Sequence, residues 1–129
     1  MENGSAHGLM MRLVTAIRLN DEVQACSILK GLFEHGFVNR TLLTSHNPNL
    51  RSAHSVAQGS LPAVLAEMAV YSKPGLIELL PAMPGMLAKG EFTGLCLFTF
   101  AKLERLNWDL NENTMSAHIM PLKDQTIIL

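Results

Sequence analysis

The stretch "TGLCLFTFAKLERLNW", residues 93–108, is where the choice of fold class is made. Thr93 is a good helix cap, and Leu95, Phe98, Ala101 and Arg105 recur at the three-and-four spacing that lines one helical face. Lys102 and Glu104 fall off that face, and Trp108 stands at its end. The spacing predicts a helix. Just upstream, "SKPGLIELLPAMPGMLAKGEFTG" holds three prolines and four glycines, so only short helical pieces fit, over Leu76 to Leu80 and Gly85 to Lys89. Downstream, "DLNEN" is a polar turn, and "TMSAHIM" forms a last short helix before Pro121. The tail "KDQTIIL" is apolar at its tip and reads equally as a docked strand or a frayed end.

The N-terminal half carries a clearer pattern. Leu9, Leu13, Ala16 and Ile17 share one face of a first helix over residues 9–19, and Asn20 and Asp21 are both suited to capping the next. That second helix carries Val23, Cys26, Leu29, Leu32 and Phe33. It ends at Gly36, which can take a left-handed conformation. Leu32 and Phe33 are expected to face a neighbouring hairpin, the one that carries Ala57. "FVNRTLLTSHNPNLR" is a loop or extended finger broken at Asn47-Pro48-Asn49. "SAHSVAQ" follows as a short helix, Gly59-Ser60 breaks it, and residues 61–71 form a further arm with Pro62 in its first turn.

Composition agrees with a helical chain. The 129 residues are 48% hydrophobic, with eight methionines and only 5% aromatic residues, a mixture of Leu, Ala and Met that favours helices. This length makes one domain, residues 1–129, with 1–8 and 123–129 as candidate tails. The formal net charge of -1, with no run of like charges, argues against nucleic acid and anionic membranes as partners. No secretory signal is visible at "MENGSAHGLMMR", which leaves delivery by a specialised secretion system open, and Glu67 and Glu78 interrupt the greasiest stretches, so no membrane span is expected. Cys26 and Cys96 each sit in an apolar stretch and are expected as reduced, buried thiols in a cytoplasmic protein.

Three segments, "LVTAIRLND", "HSVAQGSLP" and "FTFAKLERLN", can be laid over one another with Ala16, Ala57 and Ala101 in register, spaced by 41 and 44 residues. Leu32, Phe33, Glu34, His35, Gly36 and Asn39 resemble the close of an ankyrin repeat, whose second helix ends on two leucines, a polar pair, glycine and asparagine. Ser52 to Ala57 are similar to the Thr-Pro-Leu-His-x-Ala start of its first helix, with only Ala57 identical. The family period is shorter, near 33 residues, and the Thr-Pro-Leu-His motif itself is missing. The resemblance implies an all-α fold of short antiparallel hairpins stacked as a small solenoid, an irregular helical bundle being the alternative. It also implies a module that binds a partner protein through finger loops or a helical face, a role such domains also play in proteins that bacteria deliver into host cells.

No chemistry stands out. The five histidines form no HExxH and no pair one turn apart, and neither cysteine has a ligand at metal-binding spacing, so neither a metal nor a cofactor is expected. Glu34 and His35 are adjacent on a helix and diverge by about 100°. No nucleophile elbow or phosphate-cradling loop occurs, so no catalytic residue is assigned, although a site assembled from distant residues would escape this reading. The candidate partner contacts are Arg40, His46, Asn49 and Arg51 around the Asn-Pro-Asn turn, and Met83 and Met86 in the Pro-rich segment. Self-association through that Met- and Pro-rich segment, as in a dimeric adaptor or chaperone, is the second hypothesis.

Overall fold

The computed structural model describes residues 5–47 and 55–129, with nothing to be said of the side chains of residues 55–57. Among them, helix α1 (Ala6–Arg18), α2 (Glu22–Glu34) and α3 (Ser55–Ala69) precede strands β1 (Val70–Lys73), β2 (Leu76–Leu79), β3 (Lys89–Leu97), β4 (Ala101–Asp109) and β5 (Thr114–Pro121). The strands form two antiparallel sheets, β1-β2 and β3-β4-β5. The expected all-α solenoid, with its helical repeat and ankyrin-like stack, is therefore corrected to a mixed fold with a helical N-terminal half and a β C-terminal half.

The helical half follows its sequence signals. Ser5 accepts a hydrogen bond from the Gly8 N–H to open α1, and Asp21 accepts from Gln24 to open α2. Leu9, Leu13, Ala16 and Ile17 are buried, and α1 packs against both α2 and α3. Gly36, at φ 77°, ends α2 as expected; Leu32 is buried, whereas Phe33 is largely exposed. Two boundaries differ, the first being that α1 begins at Ala6, within the segment 1–8 expected as a tail. α3 runs unbroken through Gly59-Ser60 and carries Pro62 inside it, so the two expected helices are one, which ends at Ala69 as the chain turns into β1. Arg18 binds both carboxylate oxygens of Glu67 at 3.0 and 3.1 Å, joining α1 to α3. Ala53, Asn49 and Arg51 lie outside the described residues, as do the side chains of the helix start that carries Ala57.

Residues 93–108 are two strands and a turn rather than a helix. The reason lies in two irregularities. Between β4 and β5 the register shifts by one residue, from Arg105↔His118 to Leu103↔Ile119, which leaves Glu104 as an extra residue. Opposite it in β3 stands Gly94, at φ 75°, a conformation glycine adopts without penalty. Each irregularity flips the alternation once. Ala101, Leu103, Leu106 and Trp108 therefore share one face and are all buried, with Phe92, Leu95 and Leu97 beside them on β3. Of the helical face expected there, Leu95 and Ala101 do turn to the core, but Phe98 is exposed on the turn and Arg105 lies on the polar face, so the three-and-four spacing runs across two strands and the turn between them. Leu76 to Leu80, expected as helix, contains strand β2, and "TMSAHIM" forms β5.

The opposite face is polar. Lys89 pairs with Asp109 at 3.1 Å, Arg105 with Glu91 at 3.6 Å, and His118 with Glu104 at 2.9 Å. The hydrogen bond from Lys89, with further backbone N–H bonds from Glu112 and Asn111, holds the Asp109 carboxyl below the usual aspartate range. The tail is docked by one isolated bridge. Ile128 pairs in parallel with Leu76, its N–H donating to the Gly75 carbonyl at 3.0 Å and its carbonyl accepting from Ile77 at 2.9 Å.

Trp108 seals the sheet to the segment that precedes it. Its indole N–H donates to the Leu87 carbonyl at 2.8 Å, its ring stacks on Phe92 at 6.2 Å, and it covers Gly90 so closely that a Cβ there would collide with it. Gly90→Ala should therefore cost about 1–3 kcal/mol through displacement of the indole, read as a lower urea midpoint at an unchanged slope. Asp109 gives a pH signature. Its folded pKa lies below the unfolded one, so its stabilising contribution is present at neutral pH and is lost as the pH falls through the lowered pKa. Asp109→Asn, which keeps the turn bonds to Asn111 and Glu112 but loses Lys89, should flatten that acid limb of the stability profile.

Candidate partner-binding end

One end of the molecule gathers the β1-β2 turn, the β3-β4 turn and the segment that follows β5. The β3-β4 connection is three residues, Phe98-Thr99-Phe100, closing the pair Leu97↔Ala101. A three-residue hairpin loop places its last residue in the left-handed region, where glycine is the usual occupant. Here that residue is Phe100, at φ 51°. The next hairpin makes the contrast, since its loop ends on Asn113, at φ 50°, a residue type that tolerates the conformation.

The turn is held by its neighbours rather than by its own sequence. The Phe98 N–H donates to Ser72 Oγ at 3.0 Å, and the Gly75 N–H donates to Thr99 Oγ1 at 3.3 Å. Thr99 Oγ1 in turn donates to Gln125 Oε1 at 3.5 Å. The Phe100 carbonyl accepts from Gln125 Nε2 at 3.1 Å and from the Leu122 N–H at 2.9 Å. Thr99 is 1% exposed at the centre of this clasp, while Phe98 and Phe100 are 81% and 59% exposed. Two phenyl rings are thus thrown outward from a fixed base. The Lys123 ammonium lies 4.0 Å above the Phe100 ring, within cation–π range.

Beside the turn opens a cleft of about 450 Å³ between α3, β1 and the end of β3. Phe98, Tyr71, Lys73 and Cys96 line it, with apolar walls from Ala63, Ala66, Leu95 and Leu97. Arg18 also reaches it, but its guanidinium is engaged by Glu67 and lies 5.7 Å from the Tyr71 ring. The hydrogen bond and charge of Glu67 raise the Arg18 pKa further, so this group stays a fixed cation. The arrangement offers apolar contact area edged by cations.

The residues singled out in the sequence lie elsewhere. Arg40 is exposed in the loop after α2, where Asn39 Oδ1 accepts from the Thr41 and Leu43 N–H groups and makes a compact bend. The His46 carbonyl accepts from the Ala6 N–H, which ties that loop to the start of α1. Met83 is buried in the core, and Met86 is exposed on the short 3-10 turn Gly85–Leu87. Cys96, expected buried in a helix, is exposed on β3, and Cys26 is half-buried. Among the described residues no three His, Cys, Asp or Glu side chains come together as a metal site, and no helix is long and apolar enough to cross a membrane. The helical spacing of residues 95–105 hides Phe98, Thr99 and Phe100 as a turn. The signal that marks them is Phe-Thr-Phe between two stretches that alternate, "LCL" and "AKL".

Compared with family models, with curated proteins and with solved structures, the chain matches none of them.

Thr99→Val tests the clasp, because it keeps the shape of the side chain and deletes the hydroxyl. It leaves the Gly75 N–H and the Gln125 carbonyl oxygen without their partner, and should cost about 1–3 kcal/mol in equilibrium unfolding.

Proposed function

We propose that this protein binds another protein through its aromatic end, with Phe98 and Phe100 as the anchoring side chains. The observation that carries the reading is Phe100 in a left-handed conformation on a clasped turn. For a residue with a Cβ that conformation costs roughly 1–2 kcal/mol, whereas an exposed cation–π contact such as that of Lys123 contributes about 0.5–1 kcal/mol. The turn therefore keeps a strained phenylalanine where a glycine would be easier, and the ring does little inside the molecule. Backbone strain that persists because the surroundings over-determine it is concentrated at functional sites. Aromatic side chains dominate the energetics of protein interfaces, and fixing them in advance lowers the entropy lost on binding.

The partner that fits is a protein with an apolar recess for the two rings and acidic groups opposite Lys73 and Lys123. The exposed thiol of Cys96 suits a reducing compartment, and the cytoplasm is the setting we propose. The Asn-Pro-Asn loop, with Arg40, remains a secondary contact in this reading.

Affinity capture with wild-type bait, Phe98→Ser and Phe100→Gly tests the proposal. Both variants should lose the proteins that the wild type retains, while their melting temperatures do not fall. Phe100→Gly, which relieves the strain, should gain up to about 1 kcal/mol of stability while losing the partner, a separation of stability from function. Retention of the same proteins by both variants would sink the idea.

A further inference from the structure

We propose that the edge of β5 left unpaired among the described residues pairs with the same edge of a second copy, joining two three-stranded sheets into one of six strands. This surface is distinct from the aromatic end, and the inference does not rest on that end being a binding site.

The two edges of the β3-β4-β5 sheet are built differently. β3 carries Lys89 and Glu91, both ion-paired, and is distorted at Gly94. Charges and irregularities of this kind are what keep an edge from pairing. β5 has neither. From Thr114 to Pro121 it holds no Asp, Glu, Lys or Arg, and the bulge at Glu104 lies in its neighbour, so β5 itself is regular. The apolar face also runs on past its cover. Trp108, Leu106 and Leu103 are buried on β4, while their cross-strand partners on β5 are Met115, 52% exposed, Ala117, exposed, and Ile119, partly buried.

A second copy meets these conditions by symmetry. Antiparallel pairing of two identical edges requires a two-fold axis perpendicular to the sheet, which keeps both apolar faces on the same side. With the axis at Ala117, Met115 lies opposite the partner's Ile119, Ser116 opposite the partner's His118, and Thr114 opposite the partner's Met120. Apolar residues then meet apolar residues along the whole uncovered stripe, and no like charges face each other. This register also leaves Pro121, which has no N–H to give, outside the seven paired positions. Those positions span about 24 Å, and the strip is only about 10 Å deep. That is small beside the roughly 800 Å² per partner of a standard interface, so the dimer should form and dissociate with concentration.

Sedimentation of the full chain across the micromolar range is the test, with Ala117→Lys and Phe98→Ser as variants. The wild-type mass should rise from 14.1 kDa toward twice that value. Ala117→Lys, which sets two ammonium groups against each other at the axis, should remain monomeric with an unchanged circular dichroism spectrum, and Phe98→Ser should dimerise as the wild type does. Hydrogen exchange of the wild type should show β5 amides becoming protected as concentration rises. A wild type that stays monomeric throughout overturns the proposal, including the case in which β5 amides are protected only when another protein is added. A dimer that survives Ala117→Lys, or one that is lost in Phe98→Ser, assigns the interface elsewhere and overturns it as well.

Discussion

The β half of the molecule depends on one backbone constraint, the paired irregularity at Gly94 and Glu104. A regular antiparallel sheet alternates its faces without exception, and a single slip sends every later side chain to the wrong side. In β4 the sequence places leucines at 103 and 106, an odd interval that a regular strand cannot bury on one face. The extra residue at Glu104 resolves the conflict, and Gly94 lets β3 follow without strain. The displaced glutamate is also used, since its carboxylate reaches His118 on β5.

Once that face is continuous, the two halves share one core. Buried residues of α1, α2 and α3 join Ile77 of β2, Ala82 and Met83 of the Pro-rich segment, and the leucines of β4 in a single cluster. The Pro-rich segment "PAMPGML" is the intermediary. It is too interrupted to form a regular element, so it serves as irregular packing, and Trp108 fixes its far end through the Leu87 carbonyl. Hydrophobic burial holds the halves together, and the surface ion pairs contribute little beside it.

The sequence was most legible where period and caps agreed. Asp21 and Gly36 bound α2 as expected, and the buried face of α1 is the one its spacing predicts; in α2 Leu29 and Leu32 are buried as expected, whereas Val23 and Phe33 are exposed and Ala25 and Ile28 are buried in their stead. Legibility failed where one pattern served two structures. Leu95, Phe98 and Ala101 stand three residues apart because the turn of residues 98–100 lies among them, so two strands and a turn carry the spacing of one helix. Helix α3 was missed as one piece for the reverse reason, because Gly59, Ser60 and Pro62 are local breakers that the helix accommodates. The candidate site was hidden by distance. Ser72, Gly75, Thr99 and Gln125 meet only after the chain has folded, and no local motif announces them.

The clasp also orders events in time. It joins segments 24 to 26 residues apart, whereas the helical hairpin at the N-terminus is built from neighbours in the chain. Contacts between distant segments form more slowly because the intervening loops must first be closed. The helices can assemble early, and the β3-β4 turn acquires its final shape only when residues 122–128 have docked on both it and β2. The aromatic end thus rests on contacts of long sequence separation, and its shape depends on residues 122–128 remaining docked.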